Sequence, residues 1–196
     1  MAIFALTGDF CCGKTTILNL LKKKGAFTFN IDKLVHKYYS DRNSIIYKKI
    51  KKNFPSVIVK NNISRKILKD LVFNDRRELI KLEKIVHPVV IEDLKKWIKK
   101  NRDKKISIAE VPLLFEKRLE KYFDGVIVVN VKRNILINRI KKRFKLNTKE
   151  INKRLKLYIP LKEKIKKSDF VIYNNGGIKE LYKEINILWK SLNKGV

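Results

Sequence analysis

The chain has only two cysteines in 196 residues, and Cys11 and Cys12 are neighbours. Adjacent thiols cannot staple distant segments, which excludes a disulfide framework and a cysteine-rich zinc module. Glycine and proline are also scarce, at 7 and 4 residues. No Gly-, Pro- or Ser-rich linker and no internal repeat divides the chain, so one domain with a small insert is expected. No apolar run approaches the ~20 residues of a membrane span. The opening Met1-Ala2-Ile3-Phe4 lacks the basic segment and cleavage site of a secretory signal, so the expected compartment is the cytoplasm. Acidic residues are few: 19 Asp and Glu against 48 Lys and Arg leave a net charge of +29. Such a charge would draw nucleic acid, membrane surfaces or phosphorylated metabolites in a salt-dependent way. Lysines spread along helix faces, as in Ile135 to Lys156, together with many Ile, Asn, Tyr and Phe residues, equally fit a codon bias toward A and T. Hydrophobic residues at 44% and aromatics at 10% exclude a disordered chain.

What is present is an alternation of strands and helices. Ala2 to Thr7 is a short apolar run ending at Gly8, and Thr15 to Lys23 carries Ile17, Leu18, Leu20 and Leu21 at helical spacing. A second strand is expected over Phe27 to Ile31, and helical patterns run from Asp32 to about Lys100. Within them, Asn74 or Asp75 with Glu78 suggests a capping box for a helix from Arg76 to Ile85. His87-Pro88 suggests the start of the next helix, since proline is tolerated in a first turn. Strands return at Lys105 to Val111, Asp124 to Val131 and Asp169 to Tyr173, and a helix from Ile178 to about Leu192 closes the chain. The pattern predicts an α/β fold with a five-stranded parallel sheet between helical layers and a mainly helical insert over 33–103.

The sharpest motif is Gly8-Asp9-Phe10-Cys11-Cys12-Gly13-Lys14-Thr15, which fits Gly-x-x-x-x-Gly-Lys-Thr at every fixed position, after a strand and before a helix. Glycines let successive backbone N–H groups turn inward around a phosphate, and the helix that follows offers its positive N-terminal end to the same anion. Lys14 adds a mobile charge, and the Thr15 hydroxyl can ligate the Mg²⁺ of a nucleoside triphosphate. Thr16 continues this phosphate loop. Asp9 brings a carboxylate close to a polyanion unless it turns outward. Cys11 and Cys12, beside Lys14 and a helix N-terminus, are either loop fillers or thiols of depressed pKa open to oxidation.

Other strand ends must distinguish a GTPase, a transport ATPase and a small-molecule kinase. Asn30-Ile31-Asp32 closes the second strand, where the crevice of a parallel sheet lies. There Asp32 can accept the proton of an acceptor hydroxyl, or it can cap the helix over Lys33 to Tyr38. Glu110 ends a hydrophobic strand, a place where an acid can orient Mg²⁺ or its waters.

Together with Val86-His87-Pro88, Val111-Pro112-Leu113-Leu114-Phe115-Glu116 and Val171-Ile172-Tyr173-Asn174-Asn175-Gly176, these segments make the chain resemble the dephospho-CoA kinase family over nearly its whole length. The resemblance implies a P-loop kinase domain over 1–196 that phosphorylates the ribose 3′-hydroxyl of dephospho-CoA with ATP and Mg²⁺, the last step of coenzyme A biosynthesis. It implies a nucleotide-binding core over 1–32 and 104–196, a CoA-binding insert over 33–103 and a lid over 138–160. Asp32 matches the catalytic base, and Arg139 and Arg143 lie in the lid at i, i+4, on one helix face. Asn175 and Gly176 would pass beside the adenine. His36, Arg65, His87, Leu113 and Glu116 are candidates for contacting the acceptor. The chain departs from the family pattern at Asn30, where the family has aspartate, at Asp9, where it has glycine, and at Tyr158, where it has glutamine.

The expected partners are the two small molecules, with no specific nucleic acid or membrane and a monomer or small homo-oligomer. The alternatives are a nucleoside monophosphate kinase on the same core and a basic nucleic-acid-binding protein that retains a nucleotide loop.

Overall fold

The computed structural model describes residues 1–194. Along the chain run β1 (Ala2–Gly8), α1 (Lys14–Lys23), β2 (Phe27–Asn30), α2 (Ile31–Ser40), α3 (Ile45–Asn53), β3 (Ile58–Val59), β4 (Asn62–Ile63), α4 (Arg65–Asn74) and α5 (Arg76–Lys100). They continue through β5 (Ile106–Glu110), β6 (Gly125–Asn130), α6 (Arg133–Phe144), α7 (Thr148–Leu155), α8 (Leu161–Lys166), β7 (Phe170–Tyr173) and α9 (Ile178–Lys194). The chain forms two compact units, one of Met1–Asn30 with the chain from Ile98 onward, the other of Ile31–Trp97.

The first unit is built on a five-stranded parallel sheet of order β2-β5-β1-β6-β7, the sheet the sequence predicts. Side chains alternate across it. Phe4, Leu6, Ile106, Ile108, Ile127 and Val129 face a core shared with Ile17 and Leu21 of α1 and with Leu181, Ile185 and Leu188 of α9. Their neighbours Ile3, Ala5, Ala109, Val126 and Val128 are buried too. Burial on both faces is why these strands read as continuous apolar runs rather than as alternating ones. Helix α1 ends in a Schellman turn: Gly25 (φ 106°) donates to Lys22 O at 3.0 Å, and Ala26 donates to Leu21 O at 3.1 Å. The turn delivers the chain straight into β2. Registers pair Leu6 with Glu110, Asn30 with Glu110, Gly8 with Val129 and Asn130 with Tyr173, so the C-terminal strand ends share one edge of the sheet.

The second unit packs α2, α3, α4 and part of α5 around Ile46, Ile50, Phe54, Val57, Leu68 and Val90. Ser44 caps α3 by accepting from Tyr47 N at 3.0 Å, and its hydroxyl reaches Tyr38 O at 2.7 Å. Ser44→Ala should cost about 1 kcal/mol, the usual worth of such a cap, read as a lower urea midpoint at unchanged m-value.

Two expectations in this unit need correction. Pro88 does not open a helix: α5 runs unbroken from Arg76 to Lys100 with Pro88 inside it. Proline removes one backbone donor and disfavours the helical region for its predecessor. The helix nevertheless continues because Val86 and Val90, on either side, are both buried in the same cluster. The capping box is only half formed. Asp75 Oδ1 accepts from Arg77 N at 2.8 Å, but the Asp75 N–H is given to Leu71 O of the preceding helix at 3.1 Å. The insert also holds a hairpin the helical pattern did not predict: β3 and β4 are antiparallel and joined by Lys60 and Asn61, with φ of 48° and 60°. Positive φ at both turn residues is the type I′ geometry that matches strand twist. Among the described residues no helix is long and apolar enough to cross a membrane.

Candidate active site

The loop after β1 has the shape its motif predicts. Gly13 sits at φ 96° and ends the loop, and α1 follows without a side-chain cap. The first-turn N–H groups of α1 therefore remain suited to an anion. A Cβ on Gly13 would run into the Asn174 side-chain amide, which donates to Cys12 O at 2.8 Å. Gly13→Ala should lose about 1–3 kcal/mol of stability through this overlap and the strained φ. Denaturant titration would show it, and calorimetry would show weaker ATP binding in the same variant.

Lys14 is buried, and its ammonium donates to Gly8 O at 3.1 Å and Asp9 O at 2.9 Å. Those carbonyls hold the cation over the loop. The exposed Thr15 donates from Oγ1 to Glu110 Oε1 at 3.0 Å, and Asn30 Nδ2 donates to Glu110 Oε2. Glu110 is almost wholly buried at the end of β5. A hydroxyl beside a carboxylate is a hard-oxygen pair. That fits Mg²⁺, which binds through one or two protein oxygens and completes its shell with water and phosphate.

A cavity of ≈ 300 Å³ opens beside the loop, lined by Cys11, Gly13, Thr16, Arg139, Asn174 and Gly176 among others. Arg139 therefore comes to the loop. Arg143 lies over the Phe144 ring at 5.5 Å, its guanidinium beside Cys11, and Phe10 stacks on Phe144 with centroids 4.8 Å apart. Asn175 Oδ1 accepts from Lys132 N at 2.7 Å. Burial pushes both thiols up, and Arg143 and Lys14 at Cys11 and Lys14 at Cys12 only partly offset it. That is opposite to an activated thiolate.

Asp9 does not turn to solvent. It is half-buried, and desolvation raises its pKa against the pull of Lys164, Lys14 and Arg133. Glu116, expected near the acceptor, pairs with Lys164 at 2.9 Å and accepts from Ile159 N at 3.0 Å. Leu113 is half-buried in the segment after β5, where its carbonyl accepts from Lys117 N.

In the second unit α2 starts at Ile31, so Asp32 is an exposed acid of the first turn rather than the N-cap. Burial and the Arg65 guanidinium lower the His36 pKa, with Asp32 opposing, which brings these three predicted residues into one electrostatic cluster. A cavity of ≈ 540 Å³ in this unit sets Arg65, Lys66 and Lys69 around Tyr39, Leu68 and Val72. His87 lies apart from that lining, with Nδ1 at 3.9 Å from Glu83 of its own helix.

The sequence reading missed Asn174, Lys164 and the two cations Lys66 and Lys69. Asn174 had a signal, an Asn-Asn-Gly-Gly run directly after a strand. Lys164 had none, as one lysine among many.

A family model described as dephospho-CoA kinase matches residues 2–180. The dephospho-CoA kinase of Aquifex aeolicus is 34% identical over 196 residues, covering 99% of either chain. That of Fusobacterium nucleatum is 37% identical over 184 residues, covering 93% of this chain and 94% of that one. The solved structure of dephospho-CoA kinase from Campylobacter jejuni superposes with a TM-score of 0.72 at 28% identity, covering 98% of each chain.

Proposed function

Since the chain belongs to the dephospho-CoA kinase family, we propose that it moves the γ-phosphate of ATP to the ribose 3′-hydroxyl of dephospho-CoA using the residues assembled above. The observation that carries this reading is the loop itself: Lys14 held over it, and Thr15 hydrogen-bonded to Glu110 at its foot. The loop amides and Lys14 grip the phosphates. Thr15 and Glu110 would hold a Mg²⁺, which would supply positive charge to offset that of the phosphates. Asn30 keeps the Glu110 carboxylate turned toward Thr15.

Phosphoryl transfer asks for positioning and charge rather than covalent chemistry. Arg139 and Arg143, one turn apart on α6 within the 138–160 lid, neutralise charge as it develops. Asp32 takes the proton of the 3′-hydroxyl as that oxygen attacks phosphorus and the bond to the β-phosphate oxygen breaks, leaving ADP. The cavity with Arg65, Lys66 and Lys69 over an apolar floor suits a ligand that carries both phosphates and an extended arm, as dephospho-CoA does. Asn175, Gly176 and the cavity beside Gly13 receive the adenosine of ATP. In this reading the chain works in the cytoplasm on small molecules, as a monomer or small homo-oligomer, without a specific nucleic-acid or membrane partner.

A coupled ADP-release assay offered dephospho-CoA, AMP, CMP and dTMP in turn tests the reading. Only dephospho-CoA should raise ADP release above the ATP-alone rate. Acceleration by a nucleoside monophosphate alone would transfer the assignment to the monophosphate kinases.

A further inference from the structure

A carboxylate inside a polyphosphate loop is an electrostatic problem, and the surroundings of Asp9 contain its solution. Four ionisable groups of the first unit gather there: Asp9, Lys14, Glu116 and Lys164, with Arg133 adding a weaker positive field. Lys164, on α8, is 1% exposed, and Glu116 Oε1 holds its ammonium at 2.9 Å. The same oxygen takes the Ile159 N–H at 3.0 Å, and the Tyr158 ring lies under the ammonium with its centroid at 5.7 Å. Glu116 Oε2 is buried and has no hydrogen-bond partner. A buried ion pair with an unsatisfied oxygen is a poor device for stability, because desolvation offsets the attraction and the spare oxygen adds to the cost. Its use lies in where it puts a fixed cation.

We propose that Lys164 is a positioning residue of the nucleotide site, the cation that stays with Asp9 when Lys14 is drawn onto the polyphosphate. With the loop empty, two cations balance two carboxylates. Nucleotide binding recruits Lys14, and Lys164, with weaker help from Arg133, then keeps Asp9 from repelling the ligand. Tyr158 and Ile159, at the end of the lid region, fix the far side of the pair, so the lid is tied to the same charge balance. The inference rests on the reading of the loop as the ATP site.

The test is ATP affinity, measured by calorimetry with Mg²⁺ at pH 8, for the wild type, Lys164→Met, Asp9→Asn and the double variant. Without Lys164 the Asp9 carboxylate loses the strongest attraction acting on it. The Lys164→Met Kd should therefore rise about tenfold. In the Asp9→Asn background the same substitution should cost less than about twofold. Lys164→Arg, which keeps the charge, should bind nearly as the wild type does. Should Lys164→Met fail to fold because Glu116 is stranded, Glu116→Gln/Lys164→Met removes both charges together and should show a smaller deficit, since a carboxylate that repels Asp9 leaves with the lysine, and that deficit should again vanish in the Asp9→Asn background. A deficit undiminished by Asp9→Asn, in a chain whose wild type binds ATP, overturns the role of Lys164 alone. A wild type that binds no ATP overturns the loop reading and this role with it.

Discussion

Replacing Asp32 with asparagine is expected to lower kcat by roughly 10²–10⁴-fold, the usual worth of a positioned general base, while the Kd for ATP changes little. The expectation comes from its placement. Asp32 is an exposed carboxylate in the first turn of α2, two residues beyond the strand end whose Asn30 braces Glu110. Asparagine keeps the shape and the helical turn, losing only the favourable placement of an anion at a helix N-terminus, about 0.3–1 kcal/mol. The fold should therefore survive, and a thermal melt would confirm it. Rapid-quench measurement of the chemical step with saturating dephospho-CoA separates the base from binding. A near-normal chemical step would take Asp32 out of the mechanism and leave the 3′-hydroxyl to lose its proton to the phosphate itself.

Lys14→Ala should act differently, weakening ATP binding and turnover together. Its ammonium is held by Gly8 O and Asp9 O, close to where phosphate oxygens would arrive. A cation that contacts the nucleotide in both ground and transition states contributes to both. The loss in kcat/KM for ATP should reach about 10²–10³-fold, comparable to removal of one electrostatic donor from a preorganised site. Steady-state kinetics with ATP varied, paired with calorimetry, would show both changes. A variant that lost rate but kept ATP affinity would confine Lys14 to the transition state.

The phosphate loop was legible because its chemistry is local. Gly8, Gly13, Lys14 and Thr15 lie within eight residues, and the strand and helix that frame them follow from short-range patterns. The five strands were legible for a similar reason, since burial on both faces leaves unbroken apolar runs such as Ala2 to Gly8. The rest depended on distance or on competition. Asn174 reaches Cys12 across 162 residues and Thr15 reaches Glu110 across 95, and one sequence without its fold does not pair them. Pro88 looked like a helix start because its local cost is real, and only the burial of Val86 and Val90 outweighs it. The hairpin at 58–63 has strands of two residues, too short for any period to register. Asp9 could be expected to avoid the loop interior only while Lys164, 155 positions later and unremarkable in a lysine-rich chain, was out of view.

The most direct test of the account is the position of the transferred phosphate. Incubation with ATP, Mg²⁺ and dephospho-CoA, followed by ³¹P NMR of the product, should show one new phosphomonoester coupled to the ribose H3′ proton, in step with ADP. A phosphate on any other oxygen, or ADP and inorganic phosphate with dephospho-CoA left intact, would contradict it.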